Sequence, residues 1–151
     1  MIKAYRILAI IIAAEVVIQA MAIVFAVAGE RKYIDDGGVI DKAAIEDEDL
    51  SFTGVTGFIV HGINGMMIIP LLGIVLLVIS FFVKFDGAVK WAAIVLAAIV
   101  VQVFAGIFGP DAPYIGLIHG LNAFILAGSA GFASRQAKAA ETGAPATTVP
   151  A

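Results

Sequence analysis

The sequence predicts an all-α polytopic membrane protein: a four-transmembrane-helix bundle made of two tandem helical hairpins. Three observations predict it. Of 151 residues, 62 % are hydrophobic and 14 % charged, against about 45–50 % and about 25 % in soluble domains. The mean hydropathy is +1.06, and a chain this small has too much surface for its interior to hide that excess from water. Four apolar segments reach the roughly 20 residues a helix needs to cross a bilayer, and they are apolar on all sides, unlike the short alternating strands of a barrel. Composition also excludes chemistry. The chain has no cysteine, which removes disulfides, thiolate metal sites, iron–sulfur clusters and covalent haem attachment. A formal net charge of -3, with no basic stripe, excludes nucleic acid as a partner.

The transmembrane domain covers residues 1–135, with spans at about 7–29, 54–83, 91–109 and 113–134. The first, Ile7–Gly29, is longer than the roughly 7–15 residues of a signal-peptide core and carries Glu15 and Gln19, so it reads as a retained span. Residues 30–53 form an acidic loop with one short helix. It holds Glu30, Asp35, Asp36, Asp41, Glu46, Asp47, Glu48 and Asp49, without the spacing of an EF-hand. Ser51 or Thr53 is suited to cap the second span, and Pro70 is expected to bend it by removing a backbone hydrogen bond. Gly109-Pro110 ends the third span. Asp111 is suited to cap the fourth, with Pro113 in its first turn. The tail 136–151, rich in Ala, Thr and Pro, reads as disordered.

Basic residues set the orientation. Lys3, Arg6, Lys84, Lys90, Arg135 and Lys138 lie at one end of the spans, whereas Arg31, Lys32 and Lys42 lie in the acidic loop. The positive-inside rule therefore places both termini in the cytoplasm and the loop outside, in a multi-pass protein of the plasma membrane.

An internal repeat carries the polar residues. Span two contains Ile59-Val60-His61-Gly62-Ile63-Asn64-Gly65, and span four contains Leu117-Ile118-His119-Gly120-Leu121-Asn122-Ala123. These hold both histidines of the chain. Spans one and three match in Val17-Ile18-Gln19 and Val100-Val101-Gln102. Matching spans cross the membrane in the same direction, so the hairpins are related by a pseudo-twofold axis along the membrane normal. Each histidine shares a helix face with the residues three and four positions on: His61 with Asn64 and Gly65, His119 with Asn122 and Ala123. Gly57, Gly62, Gly116 and Gly120 clear space around them. Such a stripe admits a close neighbouring helix or a flat cofactor.

Two matched imidazoles entering a bundle from one side suit bis-axial ligation of haem b. The candidate ligands are His61 and His119. Asn64, Asn122, Gln19 and Gln102 are candidate hydrogen-bonding neighbours, and Gly62, Gly65 and Gly120 are candidate cofactor contacts. Purely structural histidines, bonding helix to helix, are the alternative; a copper, zinc or quinone site is a third reading, weakened for zinc because two histidines fall short of the usual ligand number. Glu15 is a protonated hydrogen-bonding residue or a functional carboxyl. No hydrolase triad, phosphate-binding loop or dinucleotide fingerprint is present, so the sequence names no reaction. The function expected is electron transfer or haem handling near the outer face, or a non-enzymatic scaffold or accessory subunit. The expected partners are the lipid bilayer and either a membrane redox partner or a second copy of the chain.

The stretch from Gly57 to Phe132 resembles an uncharacterised family of small four-helix bacterial membrane proteins. The likeness is carried by His61 and its small neighbours, Val101-Gln102-Val103-Phe104-Ala105-Gly106, and Leu117-Ile118-His119-Gly120-Leu121-Asn122. It implies the fold and a bacterial membrane. The arrangement is also similar to one half of haem A synthase, whose four-helix bundle carries histidines on its second and fourth helices. That likeness implies His61 and His119 as axial ligands. The chain lacks the synthase's outer-loop cysteine pair, the acid before the second-helix histidine, and the second half, so the likeness extends to haem binding and not to haem synthesis.

Overall fold

The protein is described by a computed structural model over residues 1–46 and 51–143. Asp47, Glu48 and Asp49 of the acidic loop, and Ala144–Ala151 of the tail, lie outside the described residues. The chain is all-α: α1 (Ile2–Asp35), α2 (Lys42–Glu46), α3 (Val55–Ile63), a π-helical segment (Asn64–Ile68), α4 (Ile69–Ser80), α5 (Ala88–Phe108) and α6 (Pro113–Thr142). Four helical stretches are long and apolar enough to cross a membrane: Ile2–Asp35, Val55–Ser80, Ala88–Phe108 and Pro113–Thr142. The protein is an integral, multi-pass membrane protein.

Boundaries differ from the hydropathy reading where local chemistry takes over. The 34 residues of α1 correspond to about 51 Å of helix, well beyond a hydrocarbon core of about 30 Å. Its polar end is held by Arg31–Asp35 and Lys32–Asp36 ion pairs, one turn apart. In α6 the helix continues past Ser134 to Thr142, so Gln136–Thr142 is helical and not disordered. The stretch is Ala-rich and favours helix; Ala137 is buried and Glu141 pairs with Arg6. Gly143 ends it at φ 69°, the left-handed conformation glycine adopts without steric cost. The caps also differ. α3 starts from Gly54 at φ 105° and α6 from Ala112, both without a side-chain cap, so Ser51, Thr53 and Asp111 do not cap them. Pro113 does open α6 and Gly109 does close α5. α4 ends at Ser80, short of Val83, where Phe81 to Val83 turn back onto Val78, Ile79 and Ser80. Pro70 lies in the first turn of α4, directly after the π-helical segment. Its missing N–H and ring disturb the preceding turn, and the widened π turn absorbs that disturbance.

The chain forms two compact units: Val17–Gly65, and Met1–Val16 with Met66–Ala151. In the first, α1 and α3 pack through small residues. A Cβ on Gly57 would lie 2.4 Å from the Ala22 carbonyl oxygen and 3.0 Å from Ala26 Cβ. One on Gly29 would collide with the main chain at Thr53. Backbones can approach this closely because no side chain intervenes, which is how helices associate where lipid offers no hydrophobic drive. The Tyr33 ring lies tilted on Phe52, which meets Phe58 edge-on, and Gly38 lies against the Tyr33 ring.

The second unit is a four-helix bundle of the start of α1 with α4, α5 and α6. Its core is Tyr5, Ala9, Ile12, Ile69, Leu76, Val95, Ile99 and Leu126, and six alanines from α5 and α6. Tyr5 anchors one end: its hydroxyl donates to the Ala88 carbonyl at 3.0 Å and its ring meets Phe85 edge-on. Arg6 reaches Glu141, and Trp91 packs on Phe132, which also carries the Arg135 guanidinium over its face. The start of α1, the α4–α5 turn and the end of α6 therefore share one end of this unit.

Candidate functional site

Each unit holds one histidine, and each histidine is presented by the same device. In the second unit α5 and α6 lie side by side, joined by the turn at Gly109–Ala112. Helical spacing puts Ala98, Gln102 and Gly106 on one face of α5 and His119, Asn122 and Ala123 on one face of α6. The His119 ring donates Nδ1–H to the main-chain oxygen of Gln102 at 3.0 Å. Asn122, 6 % exposed, donates its amide to Gln102 Oε1 at 2.7 Å and to the Ala98 carbonyl at 2.8 Å. A Cβ on Gly106 would sit 3.1 Å from His119 Cε1 and 3.3 Å from Nδ1, so the ring lies directly against the glycine.

In the Val17–Gly65 unit, His61 donates Nδ1–H to the main-chain oxygen of Gln19 at 3.3 Å. Gln19 returns a bond from Nε2 to the His61 carbonyl at 3.1 Å. Since that carbonyl can only accept, the amide orientation of Gln19 is fixed by chemistry. A Cβ on Gly65 would lie 2.9 Å from Gln19 Nε2. Gln19 is 9 % exposed, and its Oε1 has no hydrogen-bond donor among the described residues.

The repeat read from the sequence is thus a repeat of hydrogen bonding, from histidine to the main chain of the glutamine one span earlier. A carbonyl accepts, so Nδ1 carries a proton in each ring. The copies differ at the asparagine. Asn122 clamps Gln102, whereas Asn64 is the first residue of the π-helical segment and is not the donor to Gln19 Oε1.

Gln19, His61 and Gly65 come together in one unit, and Gln102, His119 and Asn122 in the other. Gly62, Gly116 and Gly120 stand where an added Cβ would meet nothing within 4 Å. Gly57 lies against α1. Gly106 and Ala98 are contacts that sequence reasoning missed; their signal is the spacing of four residues on either side of Gln102. Among the described residues no three His, Asp or Glu side chains group to hold a metal ion, so a zinc or copper site made from protein carboxylates and imidazoles is not assembled.

No protein-family model, curated protein or solved structure matches the chain. The functional reading therefore rests on the residues themselves.

Proposed function

We propose that this membrane protein holds b-type haem through His61 and His119, for electron transfer or haem handling near the outer face of a bacterial plasma membrane. The observation that supports it is the repeated presentation of the imidazoles. Each ring gives its Nδ1 proton to a main-chain carbonyl, so Nε2 would be the nitrogen that ligates iron. Metal-binding histidines are oriented in this way by an acceptor on the other ring nitrogen. Haem would supply one-electron chemistry. The chain's own residues do the rest. His61 and His119 would hold the iron, Asn122 ties α6 to α5 through the Gln102 side chain and the Ala98 carbonyl beside the His119 ring, and the apolar spans would exclude water and tune the potential. The partners are the bilayer with a redox partner or a second copy of the chain. We assign both termini to the cytoplasm: Lys3 and Arg6 at the start of α1, Lys84 and Lys90 at the α4–α5 turn, and Arg135 and Lys138 late in α6 belong to one end of the second unit, the end that the positive-inside rule turns inward.

A second reading is a non-enzymatic scaffold or accessory subunit. It is favoured by the same bonds, because each histidine ties two helices of its own unit together. Haemin uptake separates the two. Titrate the detergent-purified protein with haemin and record oxidised and dithionite-reduced spectra, with His61→Ala/His119→Ala as the control. Stoichiometric uptake as a six-coordinate low-spin species, abolished in the double variant with helical circular dichroism retained, supports ligation. Equal uptake by both proteins, or none, leaves the scaffold reading.

A further inference from the structure

We propose that the seam between α5 and α6, at the basic end of the second unit, seats the headgroup of an anionic phospholipid. Arg135 and Lys138 bind its phosphate, and Trp91 and Phe132 form the apolar floor beneath. The seam is built from side chains in contact. Trp91, near the start of α5, packs on Phe132 of α6 with ring centroids 4.3 Å apart. The Arg135 guanidinium lies over the same Phe132 ring, 5.8 Å from its centroid. That cation–π contact steadies the group without using its N–H donors. Lys138 lies three residues on and shares the helix face. Both cations are exposed, and neither pairs with a carboxylate among the described residues.

Depth and charge name the ligand. At 1.5 Å per residue, Phe132 lies about 29 Å along α6 from Pro113, Arg135 about 33 Å and Lys138 about 38 Å. A hydrocarbon core of about 30 Å within a bilayer of about 40–45 Å therefore leaves the rings at the edge of the core and the two cations in the headgroup layer. Trp91 occupies the level that tryptophan favours. A planar guanidinium with free donors at that level matches the paired oxygens of a phosphate. The surroundings select a net negative lipid. Lys3, Arg6, Lys84, Lys90, Arg135 and Lys138 share this end with two carboxylates, Asp86 and Glu141, and Glu141 is taken by Arg6. Such a basic surface attracts anionic headgroups over zwitterionic ones. Among the described residues, Arg135 is the cation of this group that is held over an aromatic ring, which makes the α6 pair a seat and not a diffuse field.

The chain has one tryptophan, and it forms part of the seam, so its fluorescence reports the lipid bound there. Reconstitute the full chain in vesicles of equal parts phosphatidylcholine and phosphatidylglycerol, with brominated acyl chains on one lipid or the other, and measure quenching of Trp91 against unbrominated vesicles. One cation near an anionic surface is worth about fivefold in binding, so the wild type should prefer phosphatidylglycerol by about fivefold or more at low salt. Arg135→Gln/Lys138→Gln should lower that preference below about twofold, whereas Lys3→Gln/Lys84→Gln, which removes the same charge elsewhere at this end, should keep most of it. Should the Arg135→Gln/Lys138→Gln protein fail to reconstitute, Lys138→Gln alone, at an exposed position late in α6, should lower the preference severalfold. Equal quenching by the two brominated lipids in the wild type overturns the proposal. So does an equal loss of preference in the two double variants, or an unchanged preference in Lys138→Gln.

Discussion

Replacing Asn122 by alanine tests the polar clamp of the second unit. The side chain is buried and gives two hydrogen bonds, to Gln102 Oε1 at 2.7 Å and to the Ala98 carbonyl at 2.8 Å. Between membrane helices such bonds are worth about 0.6 kcal/mol on average and about 1.7 kcal/mol at most. Two of them give about 1.2 kcal/mol, with a ceiling near 3.4 kcal/mol. The Ala98 carbonyl keeps its helical bond, but Gln102 Oε1 is left without its Asn122 donor, which pushes the cost above the lower figure. The expected loss is about 1–3 kcal/mol in a reversible unfolding assay in mixed micelles. A double-mutant cycle with Gln102→Leu isolates the pair and should give a coupling of about 0.6 kcal/mol or more, beyond the additivity error of about 0.3–0.5 kcal/mol. A cost under 0.3 kcal/mol for Asn122→Ala, or strict additivity with Gln102→Leu, refutes the clamp.

Three further outcomes follow from the same geometry. Gly57→Ala should destabilise the Val17–Gly65 unit by about 2 kcal/mol or more, because the new Cβ meets the Ala22 carbonyl at 2.4 Å and backbone cannot step aside; Gly120→Ala meets open space and should be neutral or stabilising by up to about 1 kcal/mol, and thermal unfolding of the two variants ranks them. Arg6→Gln should cost no more than about 1 kcal/mol in the same assay, since both partners of the Arg6–Glu141 pair are a quarter or more exposed and such pairs contribute little. Single cysteines at Lys42 and Lys138, probed in intact cells with an impermeant maleimide, should react at Lys42→Cys and not at Lys138→Cys; the opposite pattern reverses the topology.

The spans and the tandem repeat were legible because they rest on strong signals. Long apolar runs fix helices in lipid, and a motif with both histidines of the chain is hard to miss. The pairing of histidine with glutamine was half legible: spacing put His119 and Asn122 on one face of α6, but which atom of Gln102 each would meet depends on helix register, which no single sequence states. The cap assignments failed at Ser51, Thr53 and Asp111 because a left-handed Gly54 and an uncapped Ala112 start those helices, and polar caps are dispensable when a helix is held by packing. The first part of the tail, Gln136–Thr142, was misread because composition weighs Thr and Pro near the end over the helix-favouring Ala137–Glu141, which gain Arg6 as a tertiary partner. Pro70 announced a disturbance; that it takes the form of a π turn beginning at Asn64, breaking the match with Asn122, is a property of packing.

The central claim is that two imidazoles hold one haem iron, and near-infrared magnetic circular dichroism of the oxidised, haemin-loaded protein tests it most directly, because the charge-transfer band of low-spin ferric haem reports the identity of both axial ligands. The account predicts a bis-imidazole band that is absent in His61→Ala and in His119→Ala. A high-spin or non-imidazole signature in the wild type, or a bis-imidazole band that survives in either variant, would contradict it.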